Sequence, residues 1–174
     1  MALRRPARIM WLLPVAFVIH DAEEFVTWKA WLAEHGATVA QWLQRSFGAD
    51  PVAGLQAMSD AAVLRAMCVI FALLFVATAA FSAWPRPATR LIYLVVLGGF
   101  FLHGFVHLAQ AIAVGGYTPG VVTALLVVIP CSILIYRGMS AREPMPARLI
   151  IGTAAIGALL ILPAILLALS LGRS

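Results

Sequence analysis

Charge is what this 174-residue sequence has least of: only 11% of its residues are Asp, Glu, Lys or Arg, against about 25% in a soluble domain. So little polarity cannot face water on all sides, which excludes Rossmann and TIM-barrel enzymes as well as disordered tails. Cysteine is nearly as scarce. Cys68 and Cys131 are the whole complement, they stand in separate apolar segments without CxxC or Cys/His spacing, and they read as small buried apolar residues. A secreted disulfide scaffold and a thiolate metal site are thereby excluded. What the chain has instead is 63% hydrophobic residues and a mean hydropathy of +1.00, the composition of one integral membrane domain covering residues 1–174. The net charge of +5 and the isoelectric point near 10 then mark cytoplasmic loops, and no nucleic-acid partner is expected.

Helices need roughly 20 residues to cross the hydrocarbon core. The uncharged runs Arg65 to Arg86 and Arg148 to Arg173 each suit one crossing, near 66–85 and 149–171. The run from Arg90 to Arg137 is too long for one helix and is broken by Gly115-Gly116-Tyr117-Thr118-Pro119-Gly120, giving crossings near 91–114 and 119–136. A first crossing is expected near 9–28. Arg4, Arg5 and Arg8 before the apolar stretch suggest a secretory leader, but His20-Asp21-Ala22-Glu23-Glu24 follows in place of a small-residue cleavage site, so a retained helix is expected. The expected fold is an all-α polytopic membrane bundle of about five helices. Eight of the twelve positive side chains, Arg4, Arg5, Arg8, Arg86, Arg90, Arg137, Arg142 and Arg148, fall on one side, which puts the N-terminus in the cytoplasm.

Residues 29–60 are neither a span nor polar enough for a free loop. Trp28, Trp31, Leu32, Val39, Trp42, Leu43 and Phe47 recur at near-helical spacing between polar residues, which predicts an amphipathic interfacial helix ended by Gly48, Pro51 and Gly54. It serves as an anchor, or as a lid over a site opening outward. The last helix, with no polar side chain beyond Thr153 and Ser170, reads as scaffold.

Ionisable side chains deep in a membrane helix cost about 2.5–3.5 kcal/mol each on insertion scales. Here they gather in two places: His20, Asp21, Glu23 and Glu24 in the first helix, and His103, His107 and Gln110 in the third. His20, Glu23 and Glu24 are expected on one face, with Asp21 pointing away, and His103, His107 and Gln110 form a second stripe. His20 lies 12 residues after Arg8 and His103 lies 13 after Arg90, so neighbouring helices would bring the stripes to one depth, in the outer half of the bilayer. Three imidazoles and two carboxylates at one level suit zinc first, or a non-haem iron or manganese site. His20, Glu23, Glu24, His103 and His107 are the candidate ligands, with Glu23 as the candidate general base on a water that the ion activates. Hydrogen-bonded glue between helices and axial histidines for a haem are the duller explanations; a haem would not need the carboxylates.

His20-Asp21-Ala22-Glu23-Glu24, followed by His103-x-x-x-His107 and then Tyr117-Thr118-Pro119-Gly120, resembles the HXXEE family of bacterial membrane proteins over roughly residues 10–137. The resemblance implies that His20, Glu23, Glu24 and a helix-3 histidine matter, and it supplies no reaction. Tyr117 and Pro119 are expected to set the turn, Tyr117 also standing within reach of the site as a donor, and Pro130 to kink the helix that follows. The expected protein is a multi-pass inner-membrane enzyme with its site toward the outer leaflet, hydrolysing a lipid or other membrane-soluble substrate. A metal oxidoreductase on a lipid or quinone shares the ligands. A transporter or structural subunit with a His/Glu cluster is the non-enzymatic alternative.

Overall fold

The computed structural model describes residues 8–48 and 52–172; Arg4, Arg5, Asp50, Pro51 and Arg173 lie outside them. Every regular element among the described residues is helical. A short 3-10 turn, Arg8–Trp11, leads into α1 (Leu12–Phe47), followed by α2 (Val52–Gln56), α3 (Asp60–Ala83), α4 (Pro87–Val114), α5 (Val121–Ser140) and α6 (Ala147–Gly172). The protein is thus an all-α bundle. Four helices, α3, α4, α5 and the Ala147–Ile165 part of α6, are long and apolar enough to cross a membrane. The expected crossing at 9–28 falls on α1, whose Asp21, Glu23, Glu24 and Lys29 set it apart from those four.

Local chemistry accounts for most helix ends. Ser59 caps α3, its hydroxyl accepting from Ala62 N. Pro87 opens α4 at a position where its missing N–H is not needed, and Thr89 accepts from the Arg86 N–H. Gly115 closes α4 in the left-handed region at φ 75°.

Two elements differ from the sequence expectation. The helix does not break near Trp28: α1 runs unbroken for 36 residues, about 54 Å, because no proline lies between Pro14 and its end. It stops where expected, at Gly48, whose φ of 68° only glycine adopts readily and whose N–H bonds Gln44 O at 3.0 Å. The expected interfacial segment is therefore the C-terminal part of α1 together with α2, which packs against it. Gly36 lets the two elements touch, since a Cβ there would lie 2.7 Å from Gln56 and 3.3 Å from Val52. The fourth crossing begins at Val121, so Pro119 precedes the helix and does not form its first turn. Pro130 is accommodated by a π turn, Ala124–Val128, immediately before it; the wider turn absorbs the hydrogen bond that proline cannot make.

Leu13, Tyr93, Leu94, Leu97, Val128 and Ile135 are fully buried at the centre. The Tyr93 hydroxyl, which needs a partner there, donates to Met10 O at 3.0 Å. At the arginine-rich end Arg90, only 13% exposed, pairs with Glu143 and ties α4 to the α5–α6 connection. Lipid removes the hydrophobic drive between helices, so close approach of backbones has to hold them. It does so between α4 and α6: a Cβ on Gly98 would lie 2.5 Å from Ala154 Cα, one on Gly99 2.9 Å from Gly157 O, and one on Gly157 would collide with the Val95 carbonyl. Cys68 is exposed on the outer surface of α3, against the expectation of burial, and Cys131 is half-buried; both are free thiols. Gly157→Val should push α4 and α6 apart and destabilise the bundle by roughly 1–3 kcal/mol, read as a lowered unfolding midpoint in detergent, whereas Gly152→Val, with open space at its Cβ position, should leave that midpoint unchanged.

Candidate metal centre

The polar residues of α1 divide between two flanks of the helix. At about 100° per residue, Glu24, Phe17, Trp28 and Asp21 lie progressively to one side of His20, while Thr27 and Glu23 lie to the other. Glu23 and Glu24 therefore face different neighbours, although both are within four residues of His20. One flank borders a cavity of about 400 Å³ whose lining includes Asp21, Glu24, Trp28 and His103. The other meets the N-terminus of α5. Asp21 thus shares the cavity with Glu24 and His103 instead of pointing away, and it is Glu23 that turns aside.

Glu23 is held by four donors. Its Oε1 accepts from the Tyr117 hydroxyl at 2.9 Å and from Val122 N at 3.3 Å; its Oε2 accepts from Thr123 N at 2.7 Å and from Thr123 Oγ1 at 2.5 Å. Val122 and Thr123 are the second and third residues of α5, whose N-cap is Gly120, a residue with no side chain to satisfy those N–H groups. The α1 carboxylate does this from outside the helix, and its charge also suits the positive end of the helix dipole. Tyr117 is kept protonated for its part, because desolvation and the neighbouring Glu23 raise its pKa above the ordinary value. The Trp31 indole donates to Tyr117 O at 2.7 Å, so the outer end of α1 clasps the whole turn. Tyr117 is therefore a donor to Glu23, as its place in the sequence allowed.

Thr123 connects this cap to the histidines. Its hydroxyl proton goes to Glu23, so toward His20 Nδ1, 2.9 Å away, Thr123 Oγ1 acts as acceptor and the imidazole carries its proton on Nδ1. That leaves a lone pair on Nε2. His20 is completely buried, and its Nε2 has no hydrogen-bond partner among the described residues.

The other rings gather around it. His103 and His107 stand one turn apart on α4 with their Nε2 atoms 2.9 Å from each other, and the His107 Nε2 lies 3.2 Å from Glu24 Oε1. The His20 ring is edge-on to both, with centroids 5.4 Å from His103 and 4.8 Å from His107. One ligand atom from each of His20, Glu24, His103 and His107 falls within a set whose members all lie within 4.8 Å of one another. This group could hold a metal ion. Gln110 is exposed and outside it.

Gly120 makes the arrangement possible from above. Its φ is 83°, and a Cβ there would lie 2.8 Å from His20 Cε1, 2.9 Å from His107 Cε1 and 3.0 Å from Glu24 Cγ, so the turn sits directly on the tetrad. Thr123 was not singled out from the sequence; its signal was its place at the third position of a helix whose cap is glycine, which leaves its N–H in need of an acceptor.

Membrane-length helices around a set of three histidines and a glutamate, two of them buried and two half-buried, define the class: an all-helical membrane-type protein with a site able to hold a metal. The chain belongs to the family described as proteins of unknown function with an HXXEE motif, whose family model matches residues 11–135; the motif is His20, Glu23 and Glu24 here. No curated protein and no solved structure gives a significant match. Glu23→Ala should destabilise the protein by about 1–2 kcal/mol, the usual effect of losing a helix cap. Gly120→Ala should destabilise it more, through both the strained φ and the contact with two imidazoles, and thermal unfolding in detergent ranks the two.

Proposed function

We propose that this protein is a membrane hydrolase that uses one divalent ion, zinc first, held by His20, Glu24, His103 and His107, to cleave a lipid or other membrane-soluble substrate. The observation that supports it most is the buried, unpartnered Nε2 of His20, whose tautomer is set by Thr123. Glue between helices would have paired that nitrogen, because a buried polar atom without a partner is penalised; a ligand atom must instead keep its lone pair free. Three imidazole nitrogens and one carboxylate oxygen suit zinc and are acceptable to iron or manganese. The bound ion supplies Lewis-acid polarisation of a carbonyl and activation of water.

The chain's own groups then have distinct tasks. Glu23 orients: through Thr123 it holds the His20 ring in its tautomer, the role that outer carboxylates commonly play toward ligand histidines. Both its oxygens are already engaged, so the proton acceptor expected there passes to Asp21, which lines the cavity and makes no hydrogen bond or ion pair among the described residues. The aromatic and aliphatic lining keeps bulk water away from the centre. In this reading α1 is the fifth crossing, the arginine-rich end with Arg8, Arg86, Arg90, Arg137, Arg142 and Arg148 faces the cytoplasm of a bacterial inner membrane, and the tetrad lies toward the outer leaflet. His107 and His103 precede the end of α4 by seven and eleven residues, about 10 and 16 Å along the axis. The α2 segment acts as a cover, since its Leu55 closes part of the cavity.

Elemental analysis of detergent-purified protein is expected to find about one equivalent of a single metal, absent from His103→Ala and Glu24→Ala. Glu23→Ala should retain the site with affinity lowered 10–100-fold, as for loss of an outer-sphere partner. Zinc supports hydrolysis, whereas iron or manganese would move the reading to redox chemistry on a lipid or quinone. Wild-type protein that is metal-free and takes up none of the three would overturn both.

A further inference from the structure

Beyond the tetrad the cavity continues as an apolar space between α1, α3, α4 and α6. Val63, Met67, Ile70, Val96, Ile161 and Ala164 are among its lining residues, and no lysine or arginine is. Its volume of about 400 Å³ lies in the range of ligand sites, and its chemistry does too: apolar walls with a few convergent polar groups at one end. Leu73 and Leu160 belong to the lining and are 53% and 54% exposed, so the cavity opens sideways toward lipid between α3 and α6.

The polar end is as informative as the walls. The Trp28 indole Nε1 is buried, and Trp28 lines the cavity; the Nε1 has no hydrogen-bond partner among the described residues. An indole N–H is only a donor, so what completes it is an acceptor oxygen. Asp21 and Glu24 stand on the same flank of α1 with no cationic side chain in the lining, which disfavours a phosphate-bearing headgroup.

We infer that the cavity binds a hydrocarbon chain of an uncharged long-chain ester or amide, taken up laterally from the bilayer, with its carbonyl oxygen accepting from Trp28 Nε1 beside the tetrad. The inference names the substrate class of the proposed hydrolase and rests on that reading for the chemistry, but chain binding itself needs no metal. The chain lies along α3 and α6 and the carbonyl at the α1 end. Ala66 and Ala164 line the space, so a larger side chain at either would block it, and they stand on α3 and α6, which carry none of the tetrad residues. A phospholipid is disfavoured by the acidic mouth, whose lining has no cationic side chain to meet a phosphate.

The test is photolabelling of protein in phosphatidylcholine vesicles with a dodecanoate methyl ester carrying a diazirine on its chain, with adducts mapped by mass spectrometry. Saturable labelling is expected on cavity residues such as Met67 and Ile161, and to be displaced by methyl dodecanoate despite the phospholipid excess. It should fall about tenfold in Ala66→Phe and Ala164→Phe, and several-fold in Trp28→Phe, with metal content unchanged. Labelling spread over outward residues such as Leu125 and Leu126, not displaced by methyl dodecanoate, would overturn the inference even if metal is bound, and displacement in the wild type decides the matter should the narrowed variants not fold. Cavity labelling should persist in a His103→Ala protein, and cavity labelling in a wild type found metal-free would support chain binding while the metal reading fails alone.

Discussion

The Glu23 carboxylate at the N-terminus of α5 is the contact on which the site depends. An N-terminal turn with a glycine cap leaves N–H groups that neither lipid nor its own side chains can satisfy, and α1 supplies the missing acceptor. One carboxylate thereby fixes the distance between α1 and α5, orders Thr123, and through Thr123 sets the proton on His20. The turn before α5 is drawn down by the same group through Tyr117, which brings Gly120 against the imidazoles. The π turn follows directly after Thr123. That placement lets the first turn of α5 answer to Glu23 while the rest of the helix, beyond Pro130, answers to the bundle.

A second constraint acts from the opposite side. The α4 and α6 helices approach so closely at Gly98, Gly99 and Gly157 that α4 is held against α6 and away from α1. The space left between α1 and α4 is filled by rings: Phe17 stands 6.1 Å from Phe100, and His20 spans to His103 and His107. A cavity at this level follows from the packing, since aromatic and imidazole rings can bridge two helices without closing the gap along its length. The polar cluster and the apolar cavity are two consequences of the same spacing.

Much of this was legible in the sequence. The all-α membrane-type fold follows from where charge is missing, and the helices along 66–136 follow from uncharged runs and one turn rich in glycine. Histidines at positions 20, 103 and 107 with Glu24 stood out because each was costly where it stood. What periodicity alone misassigned was the flank of α1. Positions 23 and 24 are both close to position 20 on a helical wheel, and which one joins the histidines depends on where α5 begins, a tertiary fact. The same holds for Thr123, an ordinary residue until its N–H is seen to need Glu23. Continuity of α1 past Trp28 was also hidden, because a change from apolar to amphipathic pattern looks like a boundary when no residue is present to break the helix.

The last helix shows how the two halves of the site can be separated. All four residues of the tetrad, together with Glu23, Thr123 and Gly120, lie within residues 11–135 matched by the family. The far wall of the cavity includes Ile161 and Ala164 of α6, beyond the end of that match. Substitutions along this wall alter the cavity volume without touching the tetrad or the helix cap that orients His20. The tetrad at one end of the cavity and the wall at the other are therefore built by different helices, joined by the glycine contact that holds α6 to α4. A helix that its composition marks as scaffold is, by position, the element that bounds the cavity opposite the tetrad.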